Sequence, residues 1–142
     1  MKDYSPQIYS DAGRSTTPGF EHERNDCTVR SIAHAFQIPY IEAHGAVKQT
    51  FGRRDCDGVL LPLHNCYCHY FLQKTLNKIF IVKHYDINIK RNLKHYMYRF
   101  EKGVYIVELT DHVFTIIDGV VLDNRFNDRC FPIGYFELEF LK

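Results

Sequence analysis

In Arg24-Asn25-Asp26-Cys27-Thr28-Val29-Arg30-Ser31-Ile32-Ala33, polar capping residues stop at a cysteine and an apolar-periodic run begins. This pattern marks a helix start and places Cys27 in the first turn. Unpaired backbone N–H groups and the positive end of the helix dipole there favour thiolate over thiol. Asp26 is the expected N-cap, its carboxylate accepting a hydrogen bond from a first-turn amide, although its charge opposes thiolate formation. A nucleophile at this position therefore needs a base. Taken alone, such a cysteine reads as a small, inert core residue; a matching histidine elsewhere changes that reading.

Downstream, Val29, Ile32, Ala33, Ala35 and Phe36 continue the helical stripe until Ile38-Pro39, because a residue before proline avoids the helical region; the helix is about ten residues long. Pro39 suits the first position of a second helix through Ile41, His44, Val47 and Lys48 to Phe51, with Gly52 as its stop and His44 a packed or half-exposed residue. Gly52-Arg53-Arg54-Asp55-Cys56-Asp57-Gly58 reads as a solvated connection, or else as a lip facing a substrate. Pro62 opens a third helix through Leu63, Tyr67, Tyr70, Phe71 and Leu76, and Ile79 to Val82 follows as a short buried strand. Asp86 to Arg99 reads as a fourth helix, with Ile89, Leu93, Tyr96 and Met97 on its apolar face and Lys90, Arg91 and Lys94 solvated. Upstream of the cysteine, Met1 to Glu23 is an arm or loop.

From Gly103 the period changes from helix to strand. Gly103 to Leu109, Val113 to Ile117 and Val120 to Asp123 read as strands, and Phe136, Leu138 and Phe140 alternate with Glu137 and Glu139 as an edge or closing strand would. Asp118-Gly119 is a hairpin signal, since a type I′ turn needs positive φ at both central residues. With those two as the loop, Ile117 faces Val120 and Phe114 faces Asp123. His112, Phe114 and Ile116 then share a face with Val121, Asp123 and Arg125. Asp123 lies diagonal to His112, whereas Asn124 points to the opposite face unless a bulge shifts the register. A carboxylate beside His112 fixes its tautomer, raises its basicity and leaves the other ring nitrogen to take a proton from Cys27. Cys27, His112 and Asp123 are thus the candidate nucleophile, base and orienter, with Asn124 the alternative orienter. The fold class is α+β, N-terminal helices packed on a C-terminal, mostly antiparallel sheet.

Composition narrows the partners. A chain of 142 residues fits one domain spanning 1–142, and 18 basic against 17 acidic residues imply no general attraction to nucleic acid or an acidic membrane. No apolar run is long enough to span a bilayer and Met1 to Thr17 lacks a secretory core, so a cytoplasmic location is expected. Five cysteines, odd in number and irregularly spaced, argue for reduced thiols.

The order cysteine at a helix start, then histidine, then Asp or Asn on neighbouring strands resembles the papain-like cysteine peptidases. Glu23-Arg24-Asn25-Asp26-Cys27-Thr28-Val29-Arg30, Gly103-x-Tyr105 and His112-x-Phe114-x-x-x-Asp118-Gly119-x-x-x-Asp123 are similar to small papain-like proteins of bacteriophages related to bacteriocin-leader peptidases. The resemblance implies hydrolysis of a peptide or isopeptide bond in a protein or peptide substrate through a thioester, without metal or organic cofactor, in the host cytoplasm if the source is viral. Papain-like enzymes usually carry a glutamine about six residues before the nucleophile to hold the oxyanion. Here Glu21 stands there and would repel an oxyanion, so Asn25, Gln7 or the Cys27 amide must act instead, with Asn25 preferred. The absence of Ser-Gly after Asp26-Cys27 points away from cell-wall-peptide hydrolases.

Cys56, His64, Cys66, Cys68 and His69 crowd a short region, but Cys66-x-Cys68 on a helix splays its side chains apart, so no zinc site is expected. Against the hydrolase stands one other class of function, a catalytically silent papain-like binding or structural protein that acts on a host factor or within a virus particle.

Overall fold

The computed structural model describes residues 6–59, 61, 63, 65–125 and 129–141. In chain order its elements are β1 (Gln7–Tyr9), α1 (Cys27–Phe36), α2 (Tyr40–Phe51), α3 (Cys66–Leu76), β2 (Phe80–Asp86), β3 (Val104–Glu108), β4 (Val113–Ile117), β5 (Val120–Asp123) and β6 (Gly134–Phe140). Short 3-10 turns occupy Arg14–Thr16, Leu93–His95 and Met97–Phe100. The strands form one six-stranded sheet ordered β1-β5-β4-β3-β6-β2, parallel at β1–β5 and antiparallel elsewhere. The architecture is α+β with a mostly antiparallel sheet. Among the described residues no helix is long and apolar enough to cross a membrane.

Helix α1 forms because its apolar residues recur on one face, and that face is what it buries: Val29, Ile32, Ala33 and Phe36 are all within the core. Full burial of each larger side chain is worth about 1.5–3 kcal/mol. Phe36 meets Phe80 and Phe140 edge-on, with ring centroids 4.9 and 5.1 Å apart. Gln37 ends the helix in a left-handed conformation (φ 54°) whose N–H bonds the carbonyls of Ala33 and His34. The Thr115 hydroxyl donates to the Ser31 carbonyl at 2.8 Å and fastens α1 to β4. Ile106, Phe136 and Leu138 face the helices, while Tyr105, Val107, Phe114, Ile116 and Tyr135 face Leu93, Tyr96 and Phe100 on the other side of the sheet.

The β4–β5 hairpin has the register read from its turn: Ile117 pairs with Val120, Ile116 with Val121 and Thr115 with Leu122. Asp118 (φ 47°) and Gly119 (φ 81°) both take the positive φ that a two-residue primed turn requires. Helix α2 stops at Gly52, in the left-handed region at φ 69°.

Several expectations need correction. The fourth helix is absent. β2 runs on to Asp86, Ile87 still bonds the Ile133 carbonyl, and the chain then makes only 3-10 turns. Leu93 and Tyr96, three residues apart and both buried, match a three-residue turn as well as they match an α-helix. β2 is not a buried strand but a sheet edge, with Ile81 and Tyr85 exposed. β6, expected as an edge or closing strand, lies between β3 and β2. The alternation of Glu137 and Glu139 misled because β6 has one half-solvated face without being an edge. The third helix begins at Cys66 behind Asn65, whose side chain accepts the amides of Tyr67 and Cys68; Pro62 lies outside the described residues. Finally, the N-terminal arm supplies a strand, β1, so its described part is not merely a loop.

Candidate functional site

Cys27 opens α1 and is half-buried. Asp26 precedes it but does not cap the helix through its side chain. Its carboxylate instead accepts from Arg30 Nε at 3.0 Å, Arg14 Nη1 at 3.1 Å and the Tyr40 hydroxyl at 2.8 Å. Two guanidiniums and a phenol provide stronger, charge-assisted bonds than a first-turn amide, which is why the cap expectation fails. They also offset the negative charge that would oppose a thiolate next door. Burial and the Asp26 hydrogen bond push the Tyr40 hydroxyl far up, so it stays protonated and donates.

His112 immediately precedes β4, where its carbonyl accepts the Leu109 amide at 2.7 Å. Its Nε2 is 2.6 Å from Asp123 Oδ2, and the side chains of both residues are buried. A ring has two nitrogens, so Nδ1 is the one left for Cys27, which lines the same two hollows as His112. Burial pushes the Cys27 thiol up, but His112, the Val113 amide and the charge of Arg30 outweigh it and bring the thiol below its ordinary value. Burial likewise opposes charge on His112, yet the hydrogen bond to Asp123 and the neighbouring Cys27 raise it above its ordinary value. Both shifts favour the thiolate–imidazolium pair.

Asn124 turns away from His112, its Oδ1 accepting from Arg30 Nη1 at 2.9 Å. Asn25, left-handed at φ 51°, lines the cleft beside Cys27, and its Nδ2 donates to the Cys56 carbonyl at 3.0 Å. One of its two amide hydrogens is therefore already committed. Gln7 lies on β1 and donates to the Arg125 carbonyl, and Glu21 is exposed. With Asp26 engaged elsewhere, the first-turn amides of α1 are not occupied by its carboxylate.

The 52–58 loop is not simply solvated, because Arg53 is one of the most buried side chains in the protein. Its guanidinium pairs with Glu23 Oε1 at 2.9 Å, and that oxygen also accepts the Cys56 amide at 2.6 Å. His44, buried rather than half-exposed, is 2.8 Å from Glu23 Oε2. Arg53 and His44 hold the Glu23 carboxyl far below the usual carboxylate range despite the cost of burial. This tether draws the loop against the start of α1, where Thr28 donates to the Val59 carbonyl at 2.8 Å.

Two hollows meet at Cys27 and His112. One, of about 380 Å³, is walled by Val59, Leu61, Leu109 and Val113, with Thr28, Glu108 and Asp111 among its polar members. The other, of about 340 Å³, is walled by Asn25, Arg30, Asp111 and Arg125. Among the described residues, the group close enough to share a metal ion is Glu23, His44 and Asp55. Arg53 already fills it, with Nη1 3.3 Å from His44 Nε2, so a cation entering there would meet a like charge. In the expected non-site, His69 is 2.9 Å from the Phe80 carbonyl, and His64 lies outside the described residues.

Sequence reasoning does not single out Arg30, Glu23 or Arg53. For Arg30 a signal exists: it stands four residues after Asp26 amid the apolar stripe of Val29, Ile32 and Ala33, where a charge needs a buried partner. For Glu23 and Arg53, 30 residues apart, none does. No protein-family model, curated protein or solved structure matches this chain.

Proposed function

We propose that this chain is a papain-like cysteine hydrolase that cleaves a peptide or isopeptide bond through a thioester on Cys27. The observation that carries the reading is the buried Asp123–His112 hydrogen bond at 2.6 Å, with a cysteine at a helix N-terminus lining the same hollows as His112. The Cys27 thiolate attacks the carbonyl carbon and His112 gives its proton to the leaving amine, which departs as the thioester forms. His112, now neutral, takes a proton from water; the resulting hydroxide attacks the thioester, releases the acid and restores the pair. Asp123 holds the Nε2–H tautomer, so that Nδ1 faces the sulfur. The Cys27 amide, at the positive end of α1, suits the oxyanion better than Asn25, which spends a donor on Cys56. The first hollow, largely apolar through Val59, Leu61, Leu109 and Val113, fits a substrate with an apolar side chain beside the scissile bond, and the other hollow a polar or charged one.

One observation favours the silent reading: Asn25, the side-chain donor beside Cys27, already gives an amide hydrogen to the Cys56 carbonyl. Both readings separate when the protein is incubated with a proteome-derived peptide pool and new termini are sequenced by mass spectrometry. The hydrolase yields cleavages that vanish in Cys27→Ala and share an apolar residue at a fixed position. Identical peptide patterns from wild type and Cys27→Ala would leave the binding protein as the answer.

A further inference from the structure

Arg30 lies one turn beyond Cys27 on α1, and its side chain is buried. One edge of its guanidinium, Nε, holds Asp26 Oδ1 at 3.0 Å; another, Nη1, holds Asp123 Oδ1 at 2.5 Å and Asn124 Oδ1 at 2.9 Å. The Asn124 amide also donates to Asp123 Oδ1, at 2.8 Å. The two oxygens of Asp123 therefore have separate duties: Oδ1 belongs to Arg30 and Asn124, and Oδ2 belongs to His112.

We propose that Arg30 is a positioning residue of this site, clamping the Oδ1 edge of Asp123 so that Oδ2 is presented to His112, while its charge, a helical turn from the sulfur, stabilises the Cys27 thiolate. This rests on the hydrolase reading of Cys27 and His112. Only a planar fork reaches both carboxylates at once, and an ammonium would have to choose. The charges around it nearly cancel. Asp26 is shared with Arg14, so the ion-pair group consists of the partly exposed Arg14 and the buried Arg30, Asp26 and Asp123. Tyr40 adds a neutral donor to Asp26. His34, farther along α1, is held below its ordinary value by burial and by Arg30 itself, with Asp123 and Asp11 opposing. On the cleft side, Asp111 and Arg125 flank His112. Removing Arg30 thus takes one positive charge from the vicinity of both Cys27 and His112. That disfavours the thiolate and favours the imidazolium, so both ionisations move to higher pH.

The test is the pH dependence of Cys27 carbamidomethylation by iodoacetamide in the folded protein, read by peptide mass spectrometry with the other four cysteines as internal controls. Wild type should show two inflections, the lower for thiolate formation beside the imidazolium and the upper for loss of the His112 proton. In Arg30→Met both should move up, slowing Cys27 about tenfold on the acid limb while the other cysteines keep their rates. Arg30→Gln removes the same charge while keeping a donor, and carries the same expectation if the Met variant does not fold. Arg30→Lys, which restores the charge without the fork, should fall between Met and wild type. Two inflections in wild type with unchanged profiles in the folded Met or Gln variants would overturn the role of Arg30 and leave the hydrolase reading intact. A Lys profile superimposed on that of Met would also overturn it. A single wild-type inflection at about 8.5, as in free cysteine, would remove the Cys27–His112 pair and both inferences with it.

Discussion

Replacing Glu23 by alanine removes four partners at once from a buried carboxylate. These are Arg53 Nη2 at 2.9 Å, His44 Nε2 at 2.8 Å and the amides of Cys56 at 2.6 Å and Arg24 at 3.1 Å. The lost hydrogen bonds alone would cost about 1 kcal/mol each. The larger effect is that Arg53, with a side chain only 1% exposed, is left as a buried cation without its anion. Breaking one side of such a pair costs about 3–5 kcal/mol, a factor above a hundred in the folding equilibrium. Urea unfolding followed by far-UV circular dichroism measures this directly, provided the slope is unchanged. Glu23→Leu combined with Arg53→Met should recover most of the loss, because a packed apolar pair has no unpaired charge. The pH dependence has a definite sign. Glu23 is held below its ordinary value of 4.5, so its contribution is present above that pH and fades as the pH falls through the lower folded value. A Glu23→Ala loss below about 1 kcal/mol, the range of exposed pairs, would refute the reasoning that this tether is buried and pins the 52–58 loop.

In an active protein, Cys27→Ala and His112→Ala should each abolish turnover, whereas Asp123→Ala should keep a measurable residue, because an orienter exchanges neither bonds nor protons; steady-state rates on a cleaved peptide decide this. Asn124→Ala should leave the pH profile in place, its side chain facing Arg30 rather than His112. His112 is raised above its ordinary value of 6.5, so its stabilising pair with Asp123 is fully present below that pH and is lost as the pH rises through the folded value. Asp123→Asn should therefore cost more stability at pH 5.5 than at pH 9, as parallel urea titrations would show. Phe36→Ala should cost about 3–5 kcal/mol by leaving a cavity between Phe80 and Phe140, measured as a drop in the urea midpoint.

Legibility followed the range of the interactions. α1 and α2 were readable because their stripes, the break before Pro39 and the left-handed Gly52 are all local. The β4–β5 hairpin was readable for the same reason: Asp118-Gly119 sets a register, and the register places Asp123 near His112. What failed depended on distant partners. Asp26 looks like a cap until Arg14 and Tyr40 are brought to it, from 12 residues before and 14 after. The 86–99 stretch has helical spacing, but β2 extends into it and Leu93 is tied to the Cys130 carbonyl. Arg53 sits in a charged, glycine-bounded segment that reads as solvent-facing, and only tertiary contact with Glu23 reverses that. Strand order is not legible in the sequence at all, so nothing there tells an edge or closing strand from the interior place that β6 takes between β3 and β2.

The most direct test of the central claim is acylation of Cys27 by p-nitrophenyl acetate, a probe that needs no matched peptide. A burst of p-nitrophenolate should accompany one acetyl group located by mass spectrometry on Cys27, followed by slower steady release as water deacylates it. Both phases should disappear in Cys27→Ala, and the burst should collapse in His112→Ala. Acetylation spread evenly over the five cysteines, or an acetyl on Cys27 that never turns over, would contradict a hydrolase built on this pair.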